Sequence, residues 1–410
     1  MTPLSTEGPR SSTAPSLAQM VRTATYIGAI GYGGPAILAL MKQTYVRDKK
    51  WISEQEFMNA LSLAQILPDA TGVTVTGYVG FKLKSVWGGI LAALGFVTPA
   101  AALVTLLAWA YFRFGQLPFV KSLFAGLGAL VVALLMNAVL VLGRSVFPTI
   151  GLQDWKGLTI ALAGFSGLFF LHINVLWVIL GAGLLGFLMF SFADGEPPSG
   201  ARADRTTTDA VLVTPRLRVR DGVPAAVLAG ILIAALAVPG TRALVASFLG
   251  VGTTAFGGGF GSIPLIQSLV VDARGWLSVR EFLDGIALGQ ITPGPVFITA
   301  TFIGYRVAGV LGAVLTTLAI FTPSLAAIML LADLHGRVQN LRSIRSVISG
   351  LQAGFIGLIL SVAVSFAFKS LLTWQEWLVF VAAIGYVVFL KKSTVWAILA
   401  TIAFSFIFIH

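Results

Sequence analysis

The chain has 410 residues, 57% of them hydrophobic and only 10% charged, with a formal net charge of +11. An ordinary soluble domain has roughly 25% charged residues, so a soluble globular fold is excluded. The lack of cysteine excludes thiol redox chemistry, iron–sulfur ligation and thiolate zinc sites.

Residues 1–16 are rich in Ser, Thr and Pro and predict a mobile tail without a signal-peptide pattern. An N-terminal half, 17–193, follows. Its first helix, about 17–45, is interrupted by "GYGGP" (31–35), a glycine run inside strongly apolar sequence. A Trp-Ile-Ser turn at 51–53 opens a short helix over 53–66. Ser53 and Glu56 invite a proton-coupling role, but Ser-x-x-Glu before an apolar run reads better as a capping box. The string Gln65-Ile-Leu-Pro68-Asp69-Ala-Thr71 then breaks the chain before a second short helix over 70–84. Each short helix has about 14 residues, too few to cross a bilayer comfortably. The pair predicts a re-entrant hairpin whose broken tip is buried in protein or faces water. Trp87–Tyr111 and Phe119–Leu142 are long enough to span.

A polar, Arg-rich linker at 194–222 separates this half from the C-terminal half, 223–410, which begins with an additional helix at 223–239. A second glycine-broken helix, about 242–271, contains "FGGG" (256–259). A short helix over 278–291 ends at Gln290-Ile-Thr292-Pro293-Gly294-Pro295, and another follows over 296–307. Val307–Ala332 and Trp374–Leu390 complete the apolar segments.

The second half repeats the first. "WISEQEFMNALSLAQILP" (51–68) aligns without a gap with "WLSVREFLDGIALGQITP" (276–293), and six of the fifteen positions over Trp51–Gln65 are identical. Further on, "GFKLKSVWGG" (80–89) answers "GYRVAGVLGA" (304–313), and Thr98-Pro99 answers Thr322-Pro323. The fold expected is an all-α polytopic membrane protein of two homologous helical halves, each with a Gly-broken first helix and a re-entrant short-helix hairpin. Charge favours inverted topology. "RDKK" (47–50) matches a nearly neutral stretch at 272–275, whereas Arg337, Arg342 and Arg345 crowd a loop whose counterpart has only Arg113 and Lys121.

A helix end leaves backbone groups without partners, and a helix N-terminus is a ready anion site. Broken helix pairs hold substrate in many inverted-repeat transporters. The candidate binding residues are therefore Gly33, Gly34, Pro35, Gln65, Pro68, Asp69 and Thr71 in the first half. In the second they are Gly257, Gly258, Gly259, Gln290, Thr292, Pro293, Gly294 and Pro295. Each glycine break is expected to face the tip of its own hairpin. Lys42 is a further candidate, balanced between a site cation and an interfacial anchor; Lys82 and Arg306 read as anchors. Asp69 occupies the place of Gly294 and reads as a helix cap or a proton carrier. His172 and His335 read as loop residues. No HExxH, GxSxG or GxxxxGK[ST] string is present, so no enzyme, metal, cofactor or nucleic-acid partner is expected.

These strings resemble the chromate ion transporter (CHR) family in its long, two-domain form. The resemblance rests on "GYGGP", "WISEQEF…LAQILP", "FGGG" and "WLSVREFLDGIALGQITPGP…TATFIGYR". It departs at "PDAT" (68–71), where the family usually has Pro-Gly-Pro, and at Lys42-Gln43-Thr44, where an acidic stretch is common. The resemblance implies a multi-pass protein of the bacterial inner membrane that exports chromate, confers chromate resistance and is driven by the membrane ion gradient. Its partners would be chromate or a sulfate-like oxyanion, the lipid bilayer and a second copy in a homodimer. The competing readings are a carrier of sulfate or another oxyanion in the uptake direction, and a membrane-embedded enzyme acting on lipid-linked substrates.

Overall fold

The computed structural model describes residues 15–32, 34–67, 71–147, 155–191, 240–255, 258–332, 342–390 and 394–409, together with 229, 230, 233, 235 and 238. The linker at 194–222, most of the segment at 223–239, and Arg337 and His335 lie outside these residues.

The described residues form fourteen helices and no strand. The first broken helix is α1 (Leu17–Ile30) followed by α2 (Gly34–Lys42), which continues as a π-helical turn over Gln43–Asp48. The hairpin comprises α3 (Glu54–Ile66) and the start of α4 (Thr71–Phe114). Three helices complete the half: α5 (Pro118–Val146), α6 (Trp155–Phe169) and α7 (Val175–Ser191). The plan then recurs with α8 (Arg242–Thr254) and α9 (Gly258–Gln267), the latter extended by a π-helical turn over Ser268–Ala273. It continues with α10 (Val279–Ile291), a 3-10 turn at Val296–Ile298 and α11 (Thr299–Leu331). The chain ends with α12 (Arg342–Ser370), α13 (Trp374–Ile384) and α14 (Thr394–Phe408).

Local chemistry accounts for the boundaries. Ser53 and Ser278 each accept the backbone N–H of the Glu three residues on, and each Glu carboxylate accepts the Ser N–H in return, at 2.9 and 2.7 Å. These are capping boxes, each Ser contributing about 1 kcal/mol. The glutamates are thereby committed to helix starts, as their spacing predicts.

Neither α4 nor α11 is one straight rod. Lys84-Ser85 and Ala308-Gly309 leave helical geometry in the same way, with φ near −142° and then near +60°. Each break folds the preceding short helix back on the long one. Gly80 lies against Gly88, and Gly304 against Gly312, so closely that a Cβ would overlap the opposing carbonyl. In the second copy Thr301 and Thr317 share a hydrogen bond of 2.7 Å across the same turn. Small residues at such crossings let helix backbones touch, which is how packing contributes stability where the hydrophobic effect is weak.

Four helical stretches are long and apolar enough to cross a membrane: Thr71–Phe114, Pro118–Val146, Val296–Leu331 and Ser346–Ser370. The predicted spans at Trp87–Tyr111, Phe119–Leu142 and Val307–Ala332 lie in the first three. Trp374–Leu390, in contrast, forms a shorter apolar helix that loosens into a π-helical turn over Gly385–Phe389. Trp177, Leu180, Leu162 and Phe389 are all more than 60% exposed on helix faces. An apolar surface of this kind is what a multi-pass membrane protein presents to lipid.

The halves are joined where α4 packs on α11 and where α12 packs on α5, α6 and α7. Outside that seam, α1 lies along α4 and α8 along α11. In both pairs a glycine meets a carbonyl: Gly28 against Phe96, and Gly252 against Ile320.

Candidate functional site

The α1 helix stops at Gly31, whose extended backbone (φ −74°, ψ 111°) turns the chain away. The freed Gly31 carbonyl accepts the backbone N–H of Gly294 at 3.0 Å. One residue on, the Tyr32 hydroxyl donates to the carbonyl of Ile291 at 2.8 Å, at the C-terminal end of α10. The N-terminal glycine break therefore docks on the tip of the C-terminal hairpin. This corrects the expectation that each break faces only its own hairpin. The reason lies in the α4–α11 seam: it brings Ala100, beside the helix-interior Pro99, to 2.8 Å from where a Gly294 Cβ would sit. The C-terminal break does face its own hairpin, since a Cβ on Gly259 would lie 2.6 Å from the Val296 Cβ.

Gly294 has φ of +120°, a region that side-chain-bearing residues rarely enter. Between Pro293 and Pro295, which lack N–H groups, it supplies a backbone donor within the tip, and Gly31 takes it. Thr292 is buried, and its hydroxyl and N–H close the end of α10 on the carbonyls of Gly289 and Leu288. Gln290 behaves differently. Its side-chain Nε2 is buried and has no hydrogen-bond partner among the described residues. A buried amide without a partner costs about 1–3 kcal/mol, so this donor is available to a ligand. The first turns of α2 and α9, starting at Gly34 and Gly258, add N–H groups with no intrahelical acceptor. Among the described residues of the tip and the two breaks (31–34, 258–260 and 290–299), none is charged.

Of the other sequence candidates, Thr71 is half-buried at the start of α4, while Pro35 and Gln65 lie on the helical backbones of α2 and α3. Gly33, Pro68, Asp69 and Gly257 lie outside the described residues. Lys42 is placed elsewhere. Its ammonium donates to the Glu54 carboxylate at the start of α3, about 18 Å along that helix from its tip end at Ile66. The hydrogen bond and charge of Lys42 hold the Glu54 carboxyl below the usual carboxylate range. An exposed pair of this kind is screened by water and contributes little to stability. His172 sits exposed in the turn between α6 and α7 at φ +50°, as a loop residue. Arg306 reaches Glu281 at 3.6 Å and lies over the Phe112 ring, and Lys82 lies over Tyr78, so both stems pack as anchors do.

Two residues were missed. Asp284 in α10 is 4% exposed and accepts the Tyr111 hydroxyl of α4 at 2.7 Å. The signal in the sequence is "FLDGIAL" (282–288), an acid within an apolar run, close behind the Ser-x-x-Glu cap. Tyr32 is the second, since nothing in "GYGGP" marks its hydroxyl as a ligand of a tip 259 residues away.

A chromate transporter family model matches residues 18–187 and 242–406, both copies of the broken-helix plan. The chain belongs to the chromate transporter family. It is 31% identical over 362 residues to a chromate transport protein of Cupriavidus metallidurans, covering 88% of this chain and 85% of that one. A chromate transport protein of Pseudomonas aeruginosa is 31% identical over 349 residues, 83% and 78% of the two chains. An uncharacterised transporter of Methanocaldococcus jannaschii is 32% identical over 384 residues, 92% and 90% of the two chains. No solved structure matches. As a chromate transporter family member the chain is a multi-pass membrane transporter with an oxyanion substrate.

Proposed function

We propose that this protein exports chromate across the bacterial inner membrane, driven by the membrane ion gradient, and so confers chromate resistance. The observation that carries this reading is the junction of Gly31-Tyr32 with Ile291–Gly294, where broken helix ends and the unpartnered Gln290 amide meet without a charged side chain. A tetrahedral dianion is held by several N–H donors and released again if no buried cation traps it. The membrane potential itself favours outward movement of an anion. Each elementary charge crossing the membrane is worth about 2.3 kcal/mol per 100 mV, so a potential negative inside expels a dianion with about twice that.

The donors in this reading are the Gln290 amide and the first-turn N–H groups at Gly34, Gly258 and Gly259; Thr292, Pro293, Gly294 and Pro295 shape the tip that presents them, and Tyr32 orients it. The N-terminal copy, through Gln65, Pro68, Asp69 and Thr71, serves the equivalent place. Everted membrane vesicles from expressing cells should accumulate chromate when energised, and intact expressing cells should hold less chromate than controls. Faster chromate accumulation by intact cells would overturn export in favour of uptake.

The reading also takes the two halves, 17–193 and 223–410, as inverted copies joined by the linker at 194–222. Asp48 and Ala273 end the two π-helical turns and are both exposed. The chain has no native cysteine. Single Asp48→Cys and Ala273→Cys variants should therefore label with an impermeant maleimide from opposite faces of sealed vesicles. Labelling of both from one face would rule out inversion.

A further inference from the structure

A half-buried cavity of about 460 Å³ lies between the start of α10, the end of α4 and the start of α5, lined by Tyr111, Gln116, Lys121, Arg280, Glu281 and Asp284. It lies at the far end of α10 from the tip. Two acids line it, and they are not equivalent. Glu281 is committed to the Ser278 cap and to Arg306. Asp284 is the more buried, and its described partner is a single hydroxyl, that of Tyr111. No ion pair joins it to another described residue.

The groups facing Asp284 come from each element packed on α10. Tyr111 faces it from α4 and Lys121 from α5 across the cavity. From α11, Arg306 reaches only as far as Glu281, and Tyr305 stacks on Phe112 behind Tyr111. The α12 helix contributes the Phe366 ring against Phe282, and Arg280 and Glu281 precede Asp284 on α10 itself. The fold does not require an acid here. In the first repeat the matching position is Asn59, a half-buried amide that accepts a hydrogen bond from Gln55. An ionisable side chain at such depth is costly and marks an ion or proton path more often than a structural need.

Helix geometry connects this carboxyl to the anion site. Asp284 and Ile291 are seven residues apart, so they share one face of α10, about 10 Å from each other. Both are held by tyrosines of the first repeat, Tyr111 near the middle of α10 and Tyr32 at its tip end. A rigid helix held at two points on one face passes a change at one anchor to the other.

The geometry points to Asp284 as a proton-binding site that couples proton movement to anion transport through α10. The inference rests on the transport reading above. The carboxylate takes a proton from water in the cavity, becomes neutral while Tyr111 keeps it oriented, and returns the proton to water later in the cycle.

The test uses the full chain in proteoliposomes, with the membrane potential clamped at zero by potassium and valinomycin. An imposed pH gradient should drive chromate accumulation by the wild type. In Asp284→Asn, which keeps size and an acceptor for Tyr111, pH-driven accumulation should fall about tenfold or more, the effect of 1.4 kcal/mol lost from coupling. Chromate–chromate exchange, which uses the tips and not this carboxyl, should persist. Undiminished pH-driven accumulation in Asp284→Asn, or none in a wild type that exchanges chromate, overturns the inference. A wild type that exchanges no chromate instead overturns the transport reading. The proton site is then decided by infrared difference spectra between high and low pH. A protonated-carboxyl band present in the wild type and missing from Asp284→Asn supports it, and identical spectra reject it. Should Asp284→Asn not purify as a monodisperse protein, Tyr111→Phe replaces it: a displaced pH midpoint of transport supports the site, and an unmoved one rejects it.

Discussion

Gly294→Ala should abolish most chromate transport while leaving a folded, membrane-inserted protein. At φ +120° an alanine is strained by about 1–3 kcal/mol. Its methyl group would also stand 2.8 Å from the Ala100 Cβ, closer than carbon atoms tolerate. Both penalties fall on the docked tip, where the Gly294 N–H meets the Gly31 carbonyl. The rest of the fold does not depend on that contact. A shift of about 1.4 kcal/mol against the docked arrangement lowers the ratio of docked to undocked tip about tenfold. Transport in everted vesicles, normalised to protein recovered as a monodisperse peak, is the measurement. Wild-type transport by Gly294→Ala would remove the tip from the transport path.

Gly28→Val and Gly252→Val should fail at an earlier stage, in the folded protein itself. A Cβ on Gly28 would overlap the Phe96 carbonyl oxygen, and one on Gly252 would overlap that of Ile320. Both obstacles are helix backbone, which cannot rotate away as a side chain can. Overpacking a well-filled site costs about 1–3 kcal/mol and more where backbones must separate. Here α1 must leave α4, or α8 must leave α11. The expected result is a large loss of monodisperse protein and a lower melting temperature, read by fluorescence-detected size exclusion after heating. Gly250→Ala is the control. Nothing lies within 4 Å of its added methyl, and replacing a helical glycine by alanine favours the helix by up to about 1 kcal/mol. A Gly28→Val protein as stable as wild type would mean that α1 and α4 do not cross as closely as described.

These two glycine classes show how much the residues disclose unaided. Ser53-x-x-Glu56 and Ser278-x-x-Glu281 determine two helix starts outright, because a capping box is completed within four residues. The breaks at Gly31 and Ala255 were legible for the same reason: glycines within an apolar run end a helix locally. The docking of Gly31 on Gly294 was not. It joins residues 263 apart in the chain, and nothing near either names the other.

Asp284 and Lys42 make the same point from opposite sides. A charge in the sequence shows neither its depth nor its partner. Lys42, beside a glycine break, turns outward to an exposed Glu54. Asp284, close behind an exposed cap, turns inward to Tyr111, which is 173 residues away. Only the packing of α10 against α4 decides this, because the cost of placing a charge depends on what surrounds it and not on its neighbours in the chain.

The sequence by itself determined the membrane class, the duplicated plan, the broken helices and the hairpin caps, since composition, periodicity and caps act within a few turns of chain. The tertiary structure alone decided that the first repeat's break closes on the second repeat's tip, and that the Asp284 carboxyl lies buried near the middle of the same helix. The first follows from the α4–α11 seam and the second from the packing of α10 on α4, α5 and α11, interfaces between surfaces far apart in the chain whose fit depends on side-chain shape across the gap.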